Sequence, residues 1–125
     1  MRFGVVILGL AVVSGACSST TKPAKQAYAE MNEGVQGARR GYWQEALFRF
    51  ERASTLTPAN GQILNNLAVT LEALGRYDEA LAMYKQALKA TPKDNIIRKN
   101  YARFAEFYTS YAKGVKPKVG PDALR

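Results

Sequence analysis

The sequence contains no histidine and a single cysteine, and each scarcity removes whole classes of chemistry. One cysteine cannot form a disulfide within the chain, and a Cys/His zinc site has no ligands to draw on. Without an imidazole, the Ser–His–Asp and Cys–His forms of nucleophilic catalysis are excluded. Acidic residues are also few, 10 Asp+Glu against 18 Lys+Arg in 125 residues, so the chain is basic. Glu30/Glu33 and Asp78/Glu79 are the adjacent carboxylates, and each reads most simply as a solvated helix face. No cofactor, no metal site, no small-molecule substrate and no catalytic residue are expected. The length allows one small domain.

Long apolar runs are scarce as well. The one clear run, Phe3 to Val13, follows the positive start Met1–Arg2. It falls short of the ~20 residues a membrane-spanning helix needs, but it suits a signal-peptide core. Ser14, Gly15 and Ala16 are small, and Cys17 follows them. This order resembles the lipobox of bacterial lipoprotein signal peptides. The resemblance implies cleavage after residue 16 and acylation of Cys17. Several acyl chains hold firmly where one holds only marginally. Ser18, rather than Asp, after the Cys resembles an outer-membrane sorting signal, which implies a periplasm-facing protein anchored in the outer membrane. The alternative is an ordinary secretory signal cut near Ala16, leaving a free thiol. Residues 17–26 then carry the lipidated Cys and a polar stretch that reads as a flexible tether.

The rest of the chain repeats itself. At an offset of 34 residues, Asn32/Asn66, Val35/Val69, Gly41/Gly75, Glu45/Glu79, Ala46/Ala80, Leu47/Leu81, Ala53/Ala87, Thr57/Thr91 and Pro58/Pro92 are identical pairs. Leu64, Leu67, Leu71 and Leu74 recur at helical steps, and Tyr77, Tyr84 and Leu88 supply the apolar face of a second helix. Ala68 and Ala80 are small enough to let two antiparallel helices approach, Gly75 permits the turn between them, and Pro92 stops the second helix. This period and pattern resemble the tetratricopeptide repeat (TPR), whose units are helix pairs stacked into a solenoid. The expected fold is all-α. It comprises repeats over 27–60 and 61–94, a capping helix over 95–112 and a basic disordered tail over 113–125.

The first repeat departs from the pattern. Glu30, Glu33 and Gly37 stand where large apolar residues are usual, as a polar outer side of a terminal repeat would require. The apolar stripe left on its first helix is Ala24, Tyr28, Met31, Val35 and Ala38. Gly34 and Gly37 weaken that helix by roughly 1 kcal/mol each relative to Ala. On the fifth helix, Ile97, Tyr101, Phe104, Tyr108 and Tyr111 form the stripe that closes the solenoid.

TPR solenoids bind proteins or peptides in a groove lined by the first helix of each unit. The resemblance puts Tyr28, Met31, Asn32, Val35 and Arg39 there, then Gln62, Asn65, Asn66, Val69 and Glu72, then Ile96, Lys99, Asn100, Arg103 and Phe107. Asn32, Asn66 and Asn100 form a column at the 34-residue offset. An Asn amide both donates and accepts, so such a ladder can hold an extended peptide main chain. The alternative is that Asn is simply common at this position. Lys99, Arg103 and Phe107 combine cations with an aromatic ring, which suits an acidic ligand. The simpler reading of the two cations is a solvated face. The carboxylate clamp of chaperone-binding TPRs is not reproduced, because Met31 and Val35 occupy its Lys and Asn positions.

The layout resembles small TPR lipoproteins of pilus assembly and secretion systems. It implies a scaffold or adaptor that binds a protein partner in the cell envelope and touches the membrane through its lipid. A regulator or cofactor of a cell-wall enzyme is the alternative. Nucleic acid is not expected as a partner. The basic C-terminal part, seven Lys/Arg against Glu106 and Asp122 over residues 95–125, reads as a solvated tail or a contact for an anionic surface.

Overall fold

The computed structural model describes residues 21–114, and all their regular structure is helical. Five helices follow in order: α1 (Thr21–Arg39), α2 (Trp43–Leu56), α3 (Gly61–Ala73), α4 (Tyr77–Ala90) and α5 (Asn95–Ala112). The signal segment, Cys17 and residues 115–125 lie outside the described residues.

The 34-residue period recurs as hydrogen bonds. Gly41 and Gly75 have φ of +79° and +75°, which only glycine adopts without strain. In both turns the chain reverses the same way: the Tyr42 N–H donates to the Gly37 carbonyl and the Arg76 N–H to the Leu71 carbonyl, each at 2.9 Å. This six-residue closure satisfies carbonyls that the ending helix leaves open. The Thr57 and Thr91 hydroxyls donate to the Ala53 and Ala87 carbonyls at 3.2 and 3.1 Å. Asn60 then caps α3 by accepting from the Ile63 N–H, and Asp94 caps α5 by accepting from the N–H groups of Ile96 and Ile97.

Each helix pair closes over small residues. Ala46, Ala53, Ala80 and Ala87 are fully buried, with Phe50 and Tyr84 between them in the same register. The central core joins Ala46, Leu47, Phe50, Leu67, Ala68, Leu71, Ala80, Tyr84 and Phe104, so α5 shares the core of the two pairs before it. Phe104 lies 5.2 Å from Tyr84 between ring centroids. Tyr77 meets Phe107 and Tyr111 edge-on at 4.9 and 4.8 Å, which extends the contact to the end of α5.

Three expectations for the first repeat are corrected. Residues 21–26, assigned to the tether, are the opening turns of α1. Pro23 is tolerated there because the first-turn N–H it lacks has no partner in a helix anyway. The buried face of α1 is Ala27, Glu30, Gly34 and Gly37, while Ala24 and Tyr28 of the expected stripe are exposed. Glu30 is not a solvated outer residue: it is 7% exposed and lies 3.2 Å from Arg49 Nη1 and 2.9 Å from Arg52 Nη2. Two guanidinium groups from α2 make a carboxylate tolerable where the repeat pattern has an apolar side chain.

Polar side chains also tie α3, α4 and α5 together. Glu72, 4% exposed, accepts from Arg103 Nη1 at 2.7 Å and Nη2 at 2.9 Å, and from the Tyr84 hydroxyl at 2.9 Å. Burial, then the neighbouring Glu72 charge, pushes the Tyr84 phenol far above its ordinary pKa, so it remains a donor. Asn100 Nδ2 donates to Asn65 Oδ1 at 3.1 Å. Among the described residues, every buried side-chain nitrogen or oxygen has a partner.

The two glycines of α1 should respond oppositely to alanine. A Cβ on Gly34 would sit 2.7 Å from the buried Phe50 ring, whereas one on Gly37 finds its nearest neighbour at 3.5 Å. Gly34→Ala is expected to lose about 1–2 kcal/mol net, because overpacking exceeds the helix-propensity gain. Gly37→Ala is expected to gain about 0.5–1 kcal/mol. Urea melts of the two variants check both signs. In the same assay Arg103→Met should cost about 2 kcal/mol by stranding the buried Glu72 carboxylate, and Tyr84→Phe about 1 kcal/mol. The double variant Glu72→Met/Arg103→Met should lose less than Arg103→Met alone.

Candidate partner-binding site

The first helices of the units, α1, α3 and α5, lie side by side, so the residues expected to line a groove can be followed across two seams. The seams differ. Between α3 and α5 the groove-facing positions bond to each other: Asn65 to Asn100, and Glu72 to Arg103. Asn65 is buried, at 6% exposure, which makes it a link between helices rather than a groove-facing amide. Asn100, the third member of the expected asparagine column, spends its amide donor on that link. Arg103 is neither a solvated cation nor free for an acidic ligand, because both terminal nitrogens serve Glu72. Lys99 remains exposed, and Phe107 is half-buried against Tyr77. The expected cation–aromatic patch therefore loses its central member to the core.

Between α1 and α3 no such stitching occurs among the described residues, and a cleft of about 280 Å³ opens. Val35, Ala38 and Val69 give it apolar walls, Phe50 its floor, and Asn66 and Arg39 its polar margin. Trp43, opening α2, stands at one end. Helical spacing explains the grouping: Val35, Ala38 and Arg39 share one face of α1, and Asn66, Val69 and Thr70 share one face of α3. The Asn66 backbone carbonyl accepts from the Thr70 hydroxyl at 2.8 Å, which leaves the Asn66 side-chain amide outside that bond. Asn32 lies on α1 and is exposed. Of the expected groove residues, the structure thus gathers Val35, Arg39, Asn66 and Val69 into one cleft. It separates Asn65, Asn100 and Arg103 from them. Ala38, Trp43 and Thr70 also line the cleft without having been expected there. Trp43 was legible only as the aromatic counterpart of Tyr77 in the repeat.

The cleft is chemically suited to binding. It offers apolar walls for a side chain, an amide that can donate and accept, and a guanidinium that favours a carbonyl or carboxylate. Among the described residues, no group of three or more His, Cys, Asp or Glu could hold a metal ion. No described helix is long and apolar enough to cross a membrane.

Comparison with known proteins agrees with this architecture. Over 80 residues the chain is 35% identical to the Photosystem I assembly protein Ycf3 of a Synechococcus species, covering 62% of this chain and 46% of that protein. It is 34% identical over 79 residues to the Ycf3 protein of Prochlorococcus marinus, covering 61% and 46%. It is 38% identical over 56 residues to the uncharacterized protein y4yS of Sinorhizobium fredii, covering 45% and 31%. The chain spans less than half the length of each of these relatives. The family profile described as Tetratricopeptide repeat matches residues 38–104, more than half of the chain, from the end of α1 into α5. TPR domains are modules for binding other proteins, and with its paired helices, 34-residue register and matching profile, this chain belongs to the tetratricopeptide-repeat family.

Proposed function

We propose that this protein is a membrane-anchored scaffold of the bacterial cell envelope, and that it holds a segment of a partner protein in the cleft between α1 and α3. The observation that carries the binding site is the contrast between the two seams. The α3–α5 seam is closed by its own hydrogen bonds, while the α1–α3 seam is open and lined by Val35, Ala38, Val69, Asn66 and Arg39. A partner segment would set an apolar side chain between the two valines and pair its main chain with the Asn66 amide.

The anchor rests on the sequence around Cys17, whose order of apolar run, small residues and Cys suits lipoprotein processing. An acylated Cys17 would precede α1 by only a few residues, so the folded domain would stand close to the outer-membrane surface on its periplasmic side. The names of the two Ycf3 relatives describe assembly proteins, which supports a role in building a larger complex. For an envelope protein of this layout, pilus assembly or secretion is the machinery that fits.

Two experiments test these readings separately. Cys17→Ser should leave the precursor uncut or the protein soluble, and it should abolish incorporation of labelled palmitate. Membrane fractionation identical to wild type would rule out the anchor. For the cleft, a photo-crosslinking residue at Val69 should capture a defined protein in intact cells, whereas one at the exposed Phe48 of α2 should not. Asn66→Ala should then weaken that protein's binding by about 1–3 kcal/mol, the cost of stranding polar groups, with an unchanged melting temperature. Equal capture from both positions would remove the cleft as the contact site.

A further inference from the structure

The outer side of α5 carries a second binding feature, distinct from the α1–α3 cleft. Translation by 34 residues carries Leu64, Leu67, Ala68 and Leu71 of α3 onto Arg98, Tyr101, Ala102 and Ala105 of α5. In the second unit that face of α3 is buried beneath α4: Leu67, Ala68 and Leu71 share a core with Ala80 and Tyr84, and Leu64 packs with Ala87. In the third unit no described helix occupies the equivalent position. Arg98 and Ala102 are exposed, and Tyr101 and Ala105 are half-buried. A cleft of about 690 Å³ runs here, with Leu88, Pro92, Tyr101 and Ala102 as its apolar wall and Arg98 and Lys99 at its rim.

We infer that this cleft docks an amphipathic helix of a partner protein, apolar on one face and acidic along its flanks, in the place where the second helix of a third unit would lie. The shape argument is the register itself. Ala102 continues the Ala68 column, where a neighbouring helix already comes close, and the Arg98 stem can lie along an apolar face with its charge at the edge. The charge argument selects the occupant. Arg98 and Lys99 have no ion pair among the described residues. Lys89 and Lys93 adjoin the lining residues Leu88 and Pro92 in sequence. The nearby acid, Asp94, is occupied in capping α5 through N–H···O bonds of 2.8 and 3.0 Å. An acidic helix gains from these cations, while a second copy of this chain, with net charge +8, would bring the same cations to the same face.

The test uses the purified full chain and a helix-stapled 14-residue peptide of the α4 sequence Tyr77–Ala90, carrying Lys85→Glu and Lys89→Glu. Stapling removes the marginal stability of so short a free helix. Fluorescence anisotropy should show saturable binding that weakens as salt is raised. Arg98→Glu/Lys99→Glu and, separately, Ala102→Arg should each weaken it about tenfold, the first by repulsion and the second by blocking the apolar wall. All three substituted side chains are at the surface, so melting temperatures should hold. Val69→Arg, in the other cleft, should leave binding unchanged. Absence of saturable binding, or loss with Val69→Arg alone, overturns the inference. So does sedimentation that shows a dimer dissolved by Ala102→Arg, which would make the occupant a second copy. Tighter binding after deletion of residues 115–125 would assign the face to the chain's own C-terminal segment and equally overturn it.

Discussion

Four alanines, Ala46, Ala53, Ala80 and Ala87, have no exposed surface, and the solenoid depends on the short interhelical distance they allow. With no side chain beyond Cβ, they let α2 and α4 settle against α1 and α3 so that Phe50 and Tyr84 can be buried whole. The same closeness explains why Gly34 faces Phe50: a methyl group there would overlap the ring. Each pair then presents an apolar flank it cannot cover alone, and the next unit covers it. Phe104 and Ile97 of α5 do this for the second pair, which makes α5 part of the core rather than an appendage.

Inside this apolar frame, two carboxylates are buried against arginine. Glu30 ties α1 to Arg49 and Arg52 of α2, and Glu72 ties α3 to Arg103 of α5 with Tyr84 of α4 as a third donor. Buried ion pairs of this kind add little net stability compared with apolar side chains of similar size, but leaving either partner alone is costly. Their effect here is to specify which helices meet. The Glu72–Arg103 and Asn65–Asn100 bonds close one seam of the inner surface, and the open seam beside it becomes the place for a ligand.

The two open surfaces differ in kind. The α1–α3 cleft is small, apolar and bordered by one amide and one guanidinium, which suits an extended segment with a side chain to bury. The α5 cleft is larger, basic at its rim and shaped by the register of the repeat, which suits a helix. A scaffold with two such faces can hold two elements at once, and membership of the TPR family fixes the shape of these faces without naming what they hold.

The helices, their pairing and their period were already legible in the order of residues, because these follow from local spacing. Alanine, aromatic, Gly and Pro positions recur at 34 residues, and each acts within its own turn or on its nearest neighbour. The closing stripe of α5 was legible too, and Ile97 and Phe104 prove its fully buried members. Which polar residues remain available was decided by packing. Glu30 looked solvated, and Arg103 and Asn100 looked like groove residues, because in sequence nothing marks Arg49 and Arg52, Glu72 or Asn65 as their partners. Those partners lie 19 to 35 residues away along the chain. Packing of neighbouring helices brings them within hydrogen-bond distance, and a buried charge or amide must take whatever partner that packing supplies. Periodicity thus identifies the face of a helix, while the pairing of side chains across faces is settled only when the helices meet.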